Sequence, residues 1–220
     1  DRLTRDAART GNNQYFRAML ESDGRRSAEF LESALKKSPD ENYREEIILR
    51  LAQYYTIKGE YQSVAAVVDA RGASGLPTAR LRALAEELTG SEDAARTRTD
   101  GLLKSSGSTE QKQWVSIDQA RLLLASEKRK AARTTLQSLL KSKNSPVLGL
   151  AMYLLCVDAI DAGKIDDAAR WYNLLKEQYP GAVGLDALVD KLGSMPSQPE
   201  SDTRAEKATG LKLDQVLGWE

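Results

Sequence analysis

An interval restricts this chain more than any other property. Residues suited to a tight turn, four of them glycine, recur at Gly24, Gly59, Gly90, Glu127 and Gly163, separated by 35, 31, 37 and 36 residues. On either side of them, apolar side chains fall three and four apart, the spacing of one face of an α-helix. A unit of that length holds two helices and a turn. Such a hairpin cannot bury its apolar face alone, so several must stack in a row.

The unit from Gly149 to Pro180 is the clearest. Met152, Leu155, Cys156 and Ala159 make one stripe, and Gly163 ends that helix. Ile165, Ala168, Ala169, Tyr172 and Leu175 make the second stripe, which Pro180 stops. Ala168 is small where two helices come closest, and Tyr172 and Leu175 fill the space beyond it.

Four further hairpins align with it. The first, about Leu3 to Ser38, has Tyr15, Phe16, Met19 and Leu20 in one helix and Phe30, Leu31, Ala34 and Leu35 in the next, with Pro39 beyond and a register open by one residue. In the second, Glu41 to Arg71, Leu51, Ala52, Tyr55, Gly59 and Tyr61 fit, while Val64 and Val68 replace a small and an aromatic residue. The third, Leu76 to Leu103, keeps Gly90 and Ala95 but sets Arg82 and Glu86 where apolar residues are expected, so an irregular hairpin is one outcome. The fourth, Thr109 to Ser142, places Ala120, Leu123, Ala132, Leu136 and Leu139 correctly, with Glu127 in the turn.

Leu155, Cys156, Gly163, Ala168, Tyr172, Leu175 and Pro180 resemble the tetratricopeptide repeat pattern at its own spacing, and the observed intervals sit near that family's period of about 34 residues. The resemblance spans about residues 3 to 182 and implies an all-α fold, an α-α superhelix (solenoid) of about five helical hairpins. A generic α-α superhelix outside the family is the alternative. The stripe of Leu185, Leu188, Val189 and Leu192 reads as a C-terminal capping helix, which covers the raw face of a last repeat. The expected organisation is a repeat domain over 1–195, a polar linker with Pro196 and Pro199 over 196–210, and an apolar tail over 211–220 that includes Leu211, Leu213, Val216, Leu217 and Trp219.

In this family the first helix of each hairpin lines an inner, partner-binding wall. The resemblance carries that wall to Leu49, Gln53, Thr56 and Ile57, then Arg80, Leu84 and Glu87. It continues through Trp114, Ile117, Arg121 and Leu124, and then Leu150, Tyr153, Val157, Ile160 and Asp161. The protein-binding candidates are therefore Gln53, Ile57, Leu84, Trp114, Ile117, Arg121, Leu124, Tyr153, Val157 and Asp161. Aromatic anchors and an Arg that can pair with a carboxylate are the side chains that carry interfaces. If the hairpins coil tightly, the same apolar residues are core. The Lys, Asn and Arg carboxylate clamp of some relatives is missing, because its positions hold Leu49, Gln53, Ile117 and Arg121.

Composition narrows the function classes. Lys plus Arg and Asp plus Glu both total 32, so no net field draws nucleic acid, and Lys128, Arg129 and Lys130 read as a solvated turn. Histidine is absent, which removes the commonest general base and transition-metal ligand. The one cysteine, Cys156, has no imidazole to activate it and reads as core. Lys104, Ser105 and Ser106 lie in a Gly-flanked polar segment that reads as a loop. No stretch approaches the roughly twenty apolar residues of a membrane span.

The expectation is a non-enzymatic protein-protein interaction scaffold that binds an apolar peptide or helix, with no cofactor and no metal. By analogy with bacterial cell-envelope repeat proteins, a periplasmic or envelope setting is favoured over the cytoplasm. Two alternatives stay open: a homo-oligomer whose residues 211–219 dock in its own or a neighbour's groove, and a helical appendage of an enzyme whose catalytic domain lies elsewhere.

Overall fold

The structure is a computed structural model that describes residues 10–72, 75–142 and 145–193. Eleven α-helices form among the described residues: α1 (Gly11–Leu20), α2 (Gly24–Lys36), α3 (Glu41–Lys58), α4 (Tyr61–Arg71), α5 (Leu76–Leu88), α6 (Glu92–Ser105), α7 (Thr109–Ala125), α8 (Arg129–Leu140), α9 (Leu148–Asp161), α10 (Ile165–Gln178) and α11 (Leu185–Gly193). Consecutive pairs form the five expected hairpins, and α11 packs on α9 and α10 as the expected cap. The helices group into two compact units divided between Ser105 and Ser106. Linker residues 196–210 and the apolar residues 211–219 lie outside the described residues.

Four of the five turns are built alike. Gly59, Gly90, Glu127 and Gly163 have φ of 74°, 82°, 57° and 68°, the left-handed region. In each, the N–H of the following residue bonds back five residues: Glu60 to the Tyr55 carbonyl, Ser91 to Glu86, Lys128 to Leu123 and Lys164 to Ala159, at 2.8 to 2.9 Å. This Schellman arrangement satisfies carbonyls that a helix end leaves open. Five residues after each turn comes a small side chain with no exposure, Val64, Ala95, Ala132 or Ala168, where the two helices meet. The repeat is thus written in backbone conformation as well as in side chains.

The first hairpin departs from this plan and settles its open register. Gly24 is not the turn residue but the first residue of α2, and Asp23 before it caps the helix by accepting the Arg26 N–H at 2.8 Å. The small buried residue is Ala28, so the residue in register with Gly59 is Asp23. That shift changes which face of α1 turns inward. Gln14 and Ala18 are buried, whereas Phe16, Met19 and Leu20, expected in the core, are exposed. Phe16 still meets Tyr43 edge-on, with ring centroids 5.4 Å apart.

Each unit has its own apolar cluster. In the first it runs from Ala18 to Ala85 through Leu31, Ile47, Ile48, Leu51 and Val64. In the second it joins Leu136, Leu139, Leu155, Cys156, Leu175 and Leu188. Burying one such aliphatic side chain is worth about 1.5 to 3 kcal/mol, so these clusters dominate what holds the hairpins together.

The third hairpin is helical and regular, but ions stand where its neighbours place hydrocarbon. Arg82 on α5 grips Asp69 of α4 through Nε and Nη2, at 2.9 to 3.0 Å, and reaches Glu86 Oε1 at 3.0 Å. Glu86 in turn accepts Arg98 of α6 on both oxygens, at 2.9 and 3.0 Å. The chain of alternating charge crosses three helices. Glu86 and most of Arg82 are buried, which is tolerable because each faces opposite charges on both sides, with the Arg82–Asp69 and Arg98–Glu86 pairs in bidentate geometry.

Candidate functional site

The first helices of the hairpins pack side by side within each unit, α1 with α3 and α3 with α5 in the first, α7 with α9 in the second. Their outward faces form one wall per unit, because a helix packed through one stripe leaves another for solvent. The sequence-predicted wall residues divide sharply on these faces.

In the first unit the wall is open. Ile57 is 85% exposed, Gln53 is exposed beside it, and Leu84 is half-buried on α5. Leu49, Thr56, Arg80 and Glu87 are half-buried as well. Two further apolar residues, unassigned to the wall by the sequence, join this face. Leu88 is 46% exposed and stands two residues before its turn, as Ile57 does, so the repeat register itself could have found it. Leu20 is 88% exposed at the end of α1, and only the register shift to Asp23 reveals it.

In the second unit most of the wall turns inward. Ile117 is 2% exposed and belongs to the core, which removes it from the residues a partner can reach. Trp114, Leu124, Tyr153, Val157 and Ile160 are half-buried and pack on the core cluster. Arg121 is half-buried on α7, and Asp161 is exposed at the end of α9. Of these wall residues Ile117 alone is fully core, and the others keep part of their surface exposed.

One part of it stays accessible. The start of α9 and the chain from Tyr179 to Gly184 border an open cavity of about 680 Å3, lined by Gly149, Leu150, Tyr153, Tyr179, Gly181, Ala182, Val183 and Gly184. Leu150 and Val183 are themselves exposed. The lining is apolar except for backbone and two tyrosine hydroxyls, the composition that accepts a hydrophobic group and orients it with one or two hydrogen bonds.

Titratable groups elsewhere are committed to structure. The Tyr55 hydroxyl donates to Glu32 Oε1 at 2.6 Å, and burial together with that carboxylate raises its pKa well above the usual tyrosine value. Asp158 is buried on α9, where Arg129 Nη1 donates to Oδ1 at 2.8 Å and Arg133 Nε donates to Oδ2, tying α8 to α9. Burial pushes the Cys156 thiol up to about 11, and its Sγ lies 3.4 Å from the Ala168 carbonyl oxygen, so it stays protonated between the helices. Among the described residues no group of three or more carboxylates or thiols is placed to hold a metal ion, and no helix is long and apolar enough to cross a membrane.

No family model matches the sequence, and no curated protein matches it. In structure, the chain is similar to a tetratricopeptide repeat protein from Parabacteroides merdae, solved by crystallography. The TM-score is 0.56 at 16% sequence identity, over 83% of this chain and 73% of that one. The likeness shows the fold: an all-α chain of tetratricopeptide-like helical hairpins, of the α-α superhelix class.

Proposed function

We propose that this chain is a protein-interaction scaffold that takes apolar segments of partner proteins on the first-helix walls of its units. The observation that carries the reading is a set of exposed apolar residues near the C-terminal ends of the first helices α1, α3 and α5: Leu20, Ile57 and Leu88. Leu20 and Ile57 are almost fully exposed and contribute little to the hairpin core, so their apolar surface is available to a partner. The open cavity beside Tyr153 and Leu150 offers the second unit a matching place for a large apolar side chain. Repeat folds present such walls as extended, rigid binding surfaces without chemistry of their own.

Ile57→Asp and Leu20→Asp leave the core untouched, so they test binding without unfolding. Partners captured on the immobilised 220-residue chain under stringent salt are expected to be lost from the double variant, while its helical circular dichroism and melting midpoint stay unchanged. Full recovery of the same partners by that variant, and by Tyr153→Ala, would remove the walls as binding surfaces.

A further inference from the structure

We propose that α6 is docked to the first unit by an ionic latch and opens from it as a separate local unit, ahead of the rest of that unit.

Four independent observations converge on α6. Its buried side chains are Ala95 and Thr99, one small and one polar, and none of its residues belongs to the apolar cluster of the unit. The corresponding helices α4 and α10 bury Val64 and Val68, and Ala168 and Leu175. Second, the Thr99 hydroxyl is buried with no hydrogen-bond partner, a desolvation cost that opening relieves. Third, the seam between α5 and α6 is open to water, with a cavity of about 510 Å3 lined by Glu86, Asp93, Ala94, Thr97 and Arg98. Fourth, Gly101 lies inside the helix, yet a Cβ built there meets nothing within 4 Å. Packing does not require that glycine, so its whole effect is to weaken the helix. Thr97, Thr99 and Asp100 beside it are poor helix formers too.

Against these stand the paired hydrogen bonds from Arg98 to Glu86, a strong contact. The Arg98 guanidinium has its pKa raised by that bond, as expected of a cation held by its partner. The Arg98 side chain is itself 37% exposed, so water competes for it from the open seam. Glu86 keeps Arg82 when Arg98 leaves, which spares α5 from a bare buried charge. The network is thus divided at its last link, and Asp69, Arg82 and Glu86 remain closed without α6.

Local stability in a folded chain follows apolar contact and internal hydrogen bonding, so a helix docked this way lies at the low end. Its release has a consequence along the chain. Residues 106–108 alone separate α6 from α7. Unwinding the 14 residues of α6 lets that stretch lengthen from roughly 21 Å as helix to as much as about 48 Å extended.

Hydrogen exchange followed by mass spectrometry on the full chain tests the proposal, comparing peptides from 92–105 with those from 41–58 and 76–88. The 92–105 peptides are expected to exchange at least tenfold faster than the others. Arg98→Gln, which leaves Glu86 paired with Arg82, speeds them about tenfold or more and leaves 41–58 unchanged. Gly101→Ala slows them about threefold to fivefold, again alone. If all three regions exchange together and Gly101→Ala slows them equally, α6 opens only with the whole unit and the proposal is wrong. No response to Arg98→Gln would overturn the latch. Should Arg98→Gln unfold the unit outright, the confined effect of Gly101→Ala decides.

Discussion

The third and fifth hairpins place different chemistry on the same frame. In the fifth, Leu155, Ala159, Ala168 and Leu175 are buried, with Tyr172 half-buried beside them. In the third, the residues at those repeat positions are Arg82, Glu86, Ala95, Leu102 and Thr99. The backbone turns agree, Gly90 at φ 82° and Gly163 at φ 68° being in the same left-handed region. The alanine at the closest approach, Ala95 or Ala168, and a leucine seven residues further on, Leu102 or Leu175, are common to both sets, though Leu175 is fully buried and Leu102 only half-buried. The hairpin geometry is therefore set by the turn and by the need for a small residue at the crossing, whereas the rest of the seam accepts either hydrocarbon or closed ion pairs. What changes with the filling is how the hairpin fails. Hydrocarbon contacts weaken with the volume removed, while an ionic network is damaged most when a shared member such as Glu86 goes and least when an end member does.

The largest effect expected is in the fifth hairpin. Leu175 is fully buried, and Leu175→Ala leaves a cavity costing about 3 kcal/mol, read as an earlier denaturation midpoint by tryptophan fluorescence, since Trp114 and Trp171 both lie in the second unit. An unchanged midpoint would mean that this hairpin is not held by its apolar seam. Glu86→Ala in the third hairpin comes next, at about 2 to 3 kcal/mol in circular dichroism melts, because Arg98 and one face of Arg82 lose their carboxylate. Arg82 keeps Asp69, which holds the loss below that of a fully orphaned buried charge.

The double change Glu86→Leu with Arg98→Leu sharpens the contrast. It converts the third seam towards the fifth, and the expected stability lies within about 1 kcal/mol of the natural chain, far from the sum of the two single changes. Strictly additive losses would show that the ion pair itself, and not merely the filling of the seam, is what the third hairpin requires.

Much of this frame was legible before any coordinates. Turn glycines, the alanine five residues on and the stripe spacing are local rules, and they place α3 to α11 within a residue or two. The register of the first hairpin stayed open by one position because a glycine at 24 looks like a turn, while Asp23 makes the turn by capping instead. That one-residue shift moves Leu20 from a core position to open surface. The proposed binding wall was less legible for a different reason. Sequence register says which side of a helix a residue occupies, but whether Ile117 faces solvent or a neighbouring helix depends on how closely helices pack, and that is decided by side chains far along the chain. The ionic seam was visible as a departure at Arg82 and Glu86, yet its closure needed Asp69 and Arg98, which no local pattern connects to them.

The smallest effect bears on the frame itself. Glu127 occupies the turn position that glycine fills in the second, third and fifth hairpins, and it does so at φ 57°. A side chain in this region crowds its own backbone, at a cost of about 1 to 2 kcal/mol. Glu127→Gly removes that strain but also loosens the unfolded chain, so the net gain is about 0.5 kcal/mol. Gly163→Ala runs the comparison in reverse and is expected to cost about 1 kcal/mol in the neighbouring turn. If both changes were neutral in paired chemical melts, the hydrogen bonds from Lys128 to Leu123 and from Lys164 to Ala159 would be holding the turns without help from backbone preference. Opposite signs of the expected sizes would show that the repeat is maintained one turn at a time, by conformation, whatever fills the seam behind it.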